Sequence, residues 1–385
     1  MKRNLQPVPC TMLISFACGV GNGFGRFAFP LLMPAMRREL LSSYGSAGFV
    51  GTANVGAYLL GTIGVLVASV RIEAAQILKV GLGFSVVGMF LLATAKGLPQ
   101  LAIGMLCAGA GGAAIFVPAP GILRSIVPLS KRGLAVGAVN GGIGLGMVLA
   151  TLLSRWRGEE NWRQVWFTLG CVSVVVLLAT LVWLHPPSVV TGVRPRLAAL
   201  RSAPRWQPYL AGYVLFGFGY IAFITYLPAA LRDGAGFSPR HAANAFLALG
   251  LGVSVGGVAL GRLSDIFGRR VGIAVGYGGA SLCPVLALTY REPWAWLSAL
   301  AFGMLFCGAV AAVAAHAADV LAPQDVSPGF AVVTIGFGLA QAIGPQLGGW
   351  LIDRTGGFAA TYMAASATLA LAAILALFLP RRAPN

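Results

Sequence analysis

The sequence predicts an all-α integral membrane protein whose twelve transmembrane helices form two pseudo-symmetric bundles of six. Three observations carry that reading. Of 385 residues, 58% are apolar and only 10% charged. Soluble domains carry about 25% charged residues, so this chain has too little polar surface to clothe a water-borne globule. Twelve stretches each approach the roughly 20 apolar residues that a helix needs to cross hydrocarbon. Finally, the second half of the chain echoes the first at a nearly constant offset. The 53 glycines are about twice ordinary usage, as suits helices that approach closely inside a bilayer. The apolar excess excludes disorder. A nucleic-acid partner is not expected despite the net charge of +17, because the bases sit between apolar runs instead of clustering on one solvated face.

The spans are expected at 11–36, 45–70, 76–95, 100–123, 133–153, 165–184, 208–231, 241–263, 271–290, 294–318, 329–352 and 358–380. Strand alternation is absent, which speaks against a β-barrel. The start Met1-Lys2-Arg3 imitates a signal peptide, but the apolar run after it outlasts a signal core, and the first span is expected to be retained. Lys and Arg counts in the connections orient the chain. With the N-terminus inside, sixteen bases and four acids face the cytoplasm, against ten bases and six acids outside, so the net is +12 against +4. Both termini are therefore expected to be cytoplasmic, in a bacterial inner membrane. The six cysteines, Cys10, Cys18, Cys107, Cys171, Cys283 and Cys307, are scattered through apolar segments without metal-type spacing and read as packing residues.

The longest connection, His185 to Pro208, is rich in Pro and Arg and free of acid. It divides the chain into an N-terminal bundle (1–184), a basic cytoplasmic linker (185–207) and a C-terminal bundle (208–385). Gly23-Phe24-Gly25-Arg26-Phe27-Ala28-Phe29 through Pro34 matches Gly217-Phe218-Gly219-Tyr220-Ile221-Ala222-Phe223 through Pro228 at an offset of 194, with six identities in twelve positions. Gly133-Leu134-Ala135-Val136 pairs with Gly329-Phe330-Ala331-Val332 at offset 196. Parallel repeats of this kind imply a solute cavity on the pseudo-twofold axis.

The loop Gly261-Arg262-Leu263-Ser264-Asp265-Ile266-Phe267-Gly268-Arg269-Arg270 resembles the loop signature of the major facilitator superfamily, with Ile266 where a base is usual. The equivalent first-half loop around Arg71-Ile72-Glu73 is degenerate. Gly344-Pro345-Gln346-Leu347-Gly348-Gly349 is also typical of the superfamily, and Gly25-Arg26-Phe27-Ala28 with Gly51-Thr52-Ala53-Asn54-Val55-Gly56-Ala57-Tyr58 is similar to its YbfB/YjiJ-like branch. Two departures stand out. The fourth span lacks the membrane Arg of many relatives, and the fifth lacks the Gly-Pro pair of drug antiporters. The resemblance implies alternating access by two rocking halves. It also implies a gate in which Asp265 and Arg269, framed by Gly261 and Gly268, form an ion pair and cap holding the cytoplasmic ends of the eighth and eleventh spans together.

Arg26 is the sharpest residue in the sequence. It lies in the middle of the first span, where a charge is costly and marks a functional site by default. Asn22 precedes it by four residues, one helical turn, so both are expected on one face. No span interior offers a carboxylate, so a cavity with this one fixed positive charge should favour an anion able to accept the bidentate guanidinium fork. The alternative is a structural arginine satisfied by carbonyls or a neighbouring helix. Tyr220, the repeat counterpart of Arg26, and Tyr213 on the same face read as a hydroxyl and aromatic wall for the solute. Asn54 and Tyr58 in the second span, Asn140 in the fifth and Gln341 in the eleventh are further candidate liners, each alternatively a helix–helix hydrogen bond.

His316 and Asp319 are the one His–acid pair on a span, a candidate proton site and the seed of two other readings. One is an intramembrane enzyme with His316 as general base; the other is a non-transporting sensor of the same fold. No catalytic motif, metal cluster or nucleotide loop accompanies the pair, so no enzyme activity, cofactor or metal is expected. The expected partners are a small solute, preferably anionic, protons if transport is coupled, and the lipid bilayer, with the protein acting as a monomer.

Overall fold

The computed structural model describes residues 7–128, 131–185 and 194–380. Lys2, Arg3, Arg381 and Arg382 of the topology count, and the middle of the central loop, lie outside these residues. Twelve helices are long and apolar enough to cross a membrane. They are α1 (Pro7–Leu40), α2 (Tyr44–Ala68), α3 (Ala74–Ala93), α4 (Leu98–Ile126), α5 (Arg132–Arg157) and α6 (Trp162–Trp183). The second half supplies α7 (Trp206–Gly234), α8 (Pro239–Phe267), α9 (Arg269–Ala287), α10 (Glu292–Val320), α11 (Val326–Thr355) and α12 (Ala359–Ala376). Each falls on an expected span, and no strand occurs among the described residues.

Local chemistry explains the boundaries. Ser43 caps α2 in a reciprocal box with Ser46, and Ser238 accepts the His241 N–H ahead of Pro239, the first residue of α8. Gly268, at φ +93°, is the single residue that separates α8 from α9, and Gly356, at φ +70°, ends α11. Both are left-handed positions that only glycine occupies cheaply.

Helix α1 is not the continuous helix its hydropathy suggests. A π-helical turn spans Gly19–Phe24, and regular helix resumes only at Ala28. The Gly25 N–H donates to the Val20 carbonyl at 3.0 Å and the Phe27 N–H to the Asn22 carbonyl at 3.0 Å, both five residues back. Pro30 accounts for the break. It lacks an N–H, and in an unbroken helix its ring would strike the carbonyl of Arg26, four residues earlier. Arg26 therefore sits on a discontinuity, not in mid-helix. Helix α4 is also interrupted, at Val117-Pro118, between Leu98–Phe116 and Ala119–Ile126.

The chain divides into two compact units, Met1–Gly192 and Val193–Asn385. In the first, α1 packs on α5, α2 and α3 on α4, and α3 on α6. In the second, α7 packs on α11 and α12, α8 and α9 on α10, and α9 on α12. Glycine sets the closeness. A Cβ on Gly23 would lie 2.7 Å from Gly146 Cα of α5, and one on its repeat counterpart Gly217 would lie 2.7 Å from the Phe337 carbonyl of α11. Residues after 193 join the second unit. The short helix Leu197–Arg201 is fastened by the Arg196–Asp325 ion pair and by the Arg196 N–H donating to the Pro328 carbonyl at 3.2 Å. At one end of the first unit, Glu39 of α1 accepts from Trp162 Nε1 at 2.8 Å and Arg163 at 2.6 Å, while Arg163 also donates to the Ala95 carbonyl. These bonds tie α1 and α6 to the connection that follows α3.

Backbone contact at this range makes Gly109 of α4 a sensitive position. A Cβ there would stand 2.0 Å from the Asn54 carbonyl. Gly109→Ala should lower stability by about 1–3 kcal/mol, read as a drop in melting temperature of the purified protein. Gly56→Ala, where a Cβ meets nothing within 4 Å, should leave it unchanged or slightly raised, since alanine is the better helix former.

Candidate functional site

The broken segment of α1 organises the first unit's polar residues. Asn54 of α2 donates its side-chain amide to the Gly25 carbonyl at 3.0 Å and to the Met105 carbonyl of α4 at 3.1 Å. One buried side chain thereby satisfies backbone freed at the break and joins three helices. Tyr58, one turn further along α2, meets Arg26: the guanidinium carbon lies 5.0 Å from the Tyr58 ring centre and 5.5 Å from that of Phe27. A guanidinium over an aromatic face gains cation–π stabilisation and keeps its N–H edges directed in its own plane. Asn22 is buried, its carbonyl accepts the Arg26 and Phe27 N–H groups, and its side-chain nitrogen has no hydrogen-bond partner among the described residues. The structure thus gathers Asn22, Arg26, Asn54 and Tyr58 around one helix break. Asn140 lies half-buried on α5.

In the second unit, the Tyr220 hydroxyl of α7 donates to Gln341 Oε1 of α11 at 2.5 Å. Around that bond the rings lie nearly parallel. Tyr213 stacks on Phe337 at 4.1 Å and 6°, Tyr220 on Phe306 at 4.5 Å and 17°, and Phe216 on Tyr277 at 4.6 Å and 25°. The tyrosines were legible as candidates in the sequence; Phe306, Phe337, Phe216 and Tyr277 were not. Phe337 did carry a signal, since it precedes Gln341 by one helical turn.

The loop motif forms an ionic cluster at the α8–α9 junction. Arg269 pairs with Asp265, donates through Nε to Asp319 of α10 at 2.8 Å and reaches Ser264 Oγ at 3.3 Å. The positive φ of Gly268 turns the chain so that Arg269 returns over the end of α8. Gly261 faces open space, with nothing within 4 Å of where a Cβ would stand. Between His316 and Asp319, the candidate proton site, no hydrogen bond or ion pair occurs among the described residues. The Asp319 carboxylate is engaged by Arg269, whereas His316 is buried with its ring 5.1 Å from Tyr209 of α7. Tyr209 in turn donates its hydroxyl to the Val313 carbonyl at 2.8 Å. Among the described residues, no three His, Cys, Asp or Glu side chains gather where a metal ion could be held.

Comparison with known proteins places this architecture. The profile of the family described as "Uncharacterised MFS-type transporter YbfB" matches residues 18–377. A Bacillus subtilis protein described as "Uncharacterized MFS-type transporter YfhI" is 22% identical, over 95% of this chain and 93% of its own. Human "Monocarboxylate transporter 11" is 27% identical, over 82% of this chain and 71% of its own. A solved D-xylose–proton symporter shares the fold with a TM-score of 0.76 at 16% identity, covering 97% of this chain and 98% of that one. The chain belongs to the YbfB-like family of major facilitator transporters, and its function is membrane transport.

Proposed function

We propose that this transporter carries a small organic anion by alternating access, and that Arg26 receives its negative group. The observation that supports this most is the placing of Arg26: a guanidinium in the middle of a span, on a helix discontinuity, held against the rings of Tyr58 and Phe27. Charge at that depth is expensive to keep, and a discontinuous helix is a common way for transporters to expose ligating groups. Buried Asn22, with its amide nitrogen available, is a second donor beside it. Similarity to a protein named a monocarboxylate transporter points to the same class of solute. Tyr58, and from the second unit Tyr213, Tyr220 and Gln341, are proposed solute contacts, with Asn140 a further one. Asn54 is proposed to act through the backbone it supports. With both termini cytoplasmic, as the charge asymmetry argues, the Asp265–Arg269–Asp319 cluster lies on the cytoplasmic side of a bacterial inner membrane.

Arg26→Gln should weaken binding of a transported anion by about ten- to a hundredfold, the worth of one charged hydrogen bond. Arg26→Lys should restore only part of it, because an ammonium lacks the fork. Binding titrations and melting curves on the same preparations separate this from a structural arginine, whose loss would lower stability and leave affinity intact.

The ionic cluster is proposed as the gate. Asp265→Asn removes one of two carboxylates from Arg269 and should slow turnover in proteoliposomes severalfold while solute affinity changes little. Unaltered turnover would remove Asp265 from the gating step.

If solute movement is coupled to protons, His316 is the proposed carrier, because it is an ionisable side chain buried within a span. His316→Gln should flatten the pH dependence of uptake and leave binding in place. A variant that keeps the wild-type profile would exclude the histidine.

A further inference from the structure

We propose that the second unit carries a ring-binding wall, formed by Phe306 of α10 and Phe337 of α11 over Tyr220 and Tyr213, and that the transported solute contains a planar aromatic ring. The inference deepens the organic-anion reading and rests on it only in taking the bound molecule to be the cargo.

The geometry is a layered stack. Tyr220 stacks with Phe306, at 4.5 Å and 17°, and with Phe337, at 5.5 Å and 11°. Phe337 also covers Tyr213 at 4.1 Å and 6°. Rings that merely fill a core adopt a mixture of edge-to-face and offset arrangements, because the quadrupole of one ring favours both. Here the planes run parallel, so each ring repeats the orientation of the ring it stacks on. The burial pattern has the same sense. Tyr213 and Tyr220 are 2% and 1% exposed, whereas Phe306 and Phe337 remain partly open. Tyr220 is held in place by its hydroxyl bond to Gln341 at 2.5 Å, beside the two partly exposed phenylalanines. A planar π-system adds to such a wall by offset stacking with little rearrangement. A saturated ring of the same size cannot lie flat and has no quadrupole to match.

Binding of phenylacetate, cyclohexylacetate and benzyl alcohol to the full-length protein in detergent tests this. Wild type should bind phenylacetate roughly two- to tenfold more tightly than cyclohexylacetate, the range expected for one aromatic pair. Phe306→Leu and Phe337→Leu should each lower that ratio, and the double variant should bring it to about one. Phe84→Leu, on an exposed face of α3, should leave it alone. Because the ratio compares two ligands on one preparation, reduced yield of a variant does not obscure it. Equal affinities in the wild type, a ratio retained in the double variant, or no binding by any of the three compounds would each overturn the ring proposal. The anion reading fails separately: benzyl alcohol would bind as well as phenylacetate, and Arg26→Gln would leave both unchanged.

Discussion

Helices that share a bilayer gain nothing by hiding apolar surface from one another, since lipid tails are as apolar as leucine. What remains is dispersion at close range, and close range requires that Cβ atoms be absent. In this protein the requirement is met at repeated positions: Gly23 against Gly146, Gly109 against the Asn54 carbonyl, Gly217 against the Phe337 carbonyl, Gly303 against the Leu249 carbonyl. The same constraint governs the polar residues. With no water at that depth, each backbone group released by a break needs a partner from the protein. Asn54 is that partner for Gly25, and it can reach both Gly25 and Met105 because the glycine at 109 lets α2 lie against α4.

The two halves diverge where a single proline differs. Pro30 of α1 has Ile224 as its repeat counterpart in α7. Helix α1 is therefore interrupted one turn before Pro30, and α7 runs unbroken from Trp206 to Ala229. The residues one turn earlier, Arg26 and Tyr220, are equivalent in the repeat and unlike in setting. Arg26 stands on loosened backbone with aromatic rings beside its charge. Tyr220 stands on regular helix and spends its hydroxyl on Gln341. The two segments echo one another in sequence, and the one that carries Pro30 is the one interrupted here.

Much of this was legible in the sequence because hydropathy and length report directly on the bilayer: all twelve spans coincide with helices, and the Gly23/Gly217 echo coincides with equivalent packing positions. Arg26, Asn54 and Tyr58 could be picked out as polar residues in apolar runs, and the structure brings them together. What the sequence hid was cross-helix pairing. The Arg269–Asp319 contact joins residues fifty apart, and nothing local distinguishes it from the His316–Asp319 spacing of three. The parallel rings were hidden for the same reason, as phenylalanines on α10 and α11 look like ordinary lipid-facing residues until α7 is laid beside them. The break in α1 was readable from Pro30 and missed because hydropathy is blind to backbone hydrogen bonds.

Charged side chains are held by carboxylates, by aromatic rings, or, at Arg163, by both. Near helix ends, ions are paired: Glu39 with Arg163 in the first unit, and Arg269 with Asp265 and Asp319 in the second. Individually such exposed pairs contribute little, but each cluster joins three elements at one end of its unit. Aromatic faces are a second support, at Arg26 over Tyr58 and Phe27 and at Arg37 over Tyr44. A ring quadrupole stabilises a cation without neutralising its charge.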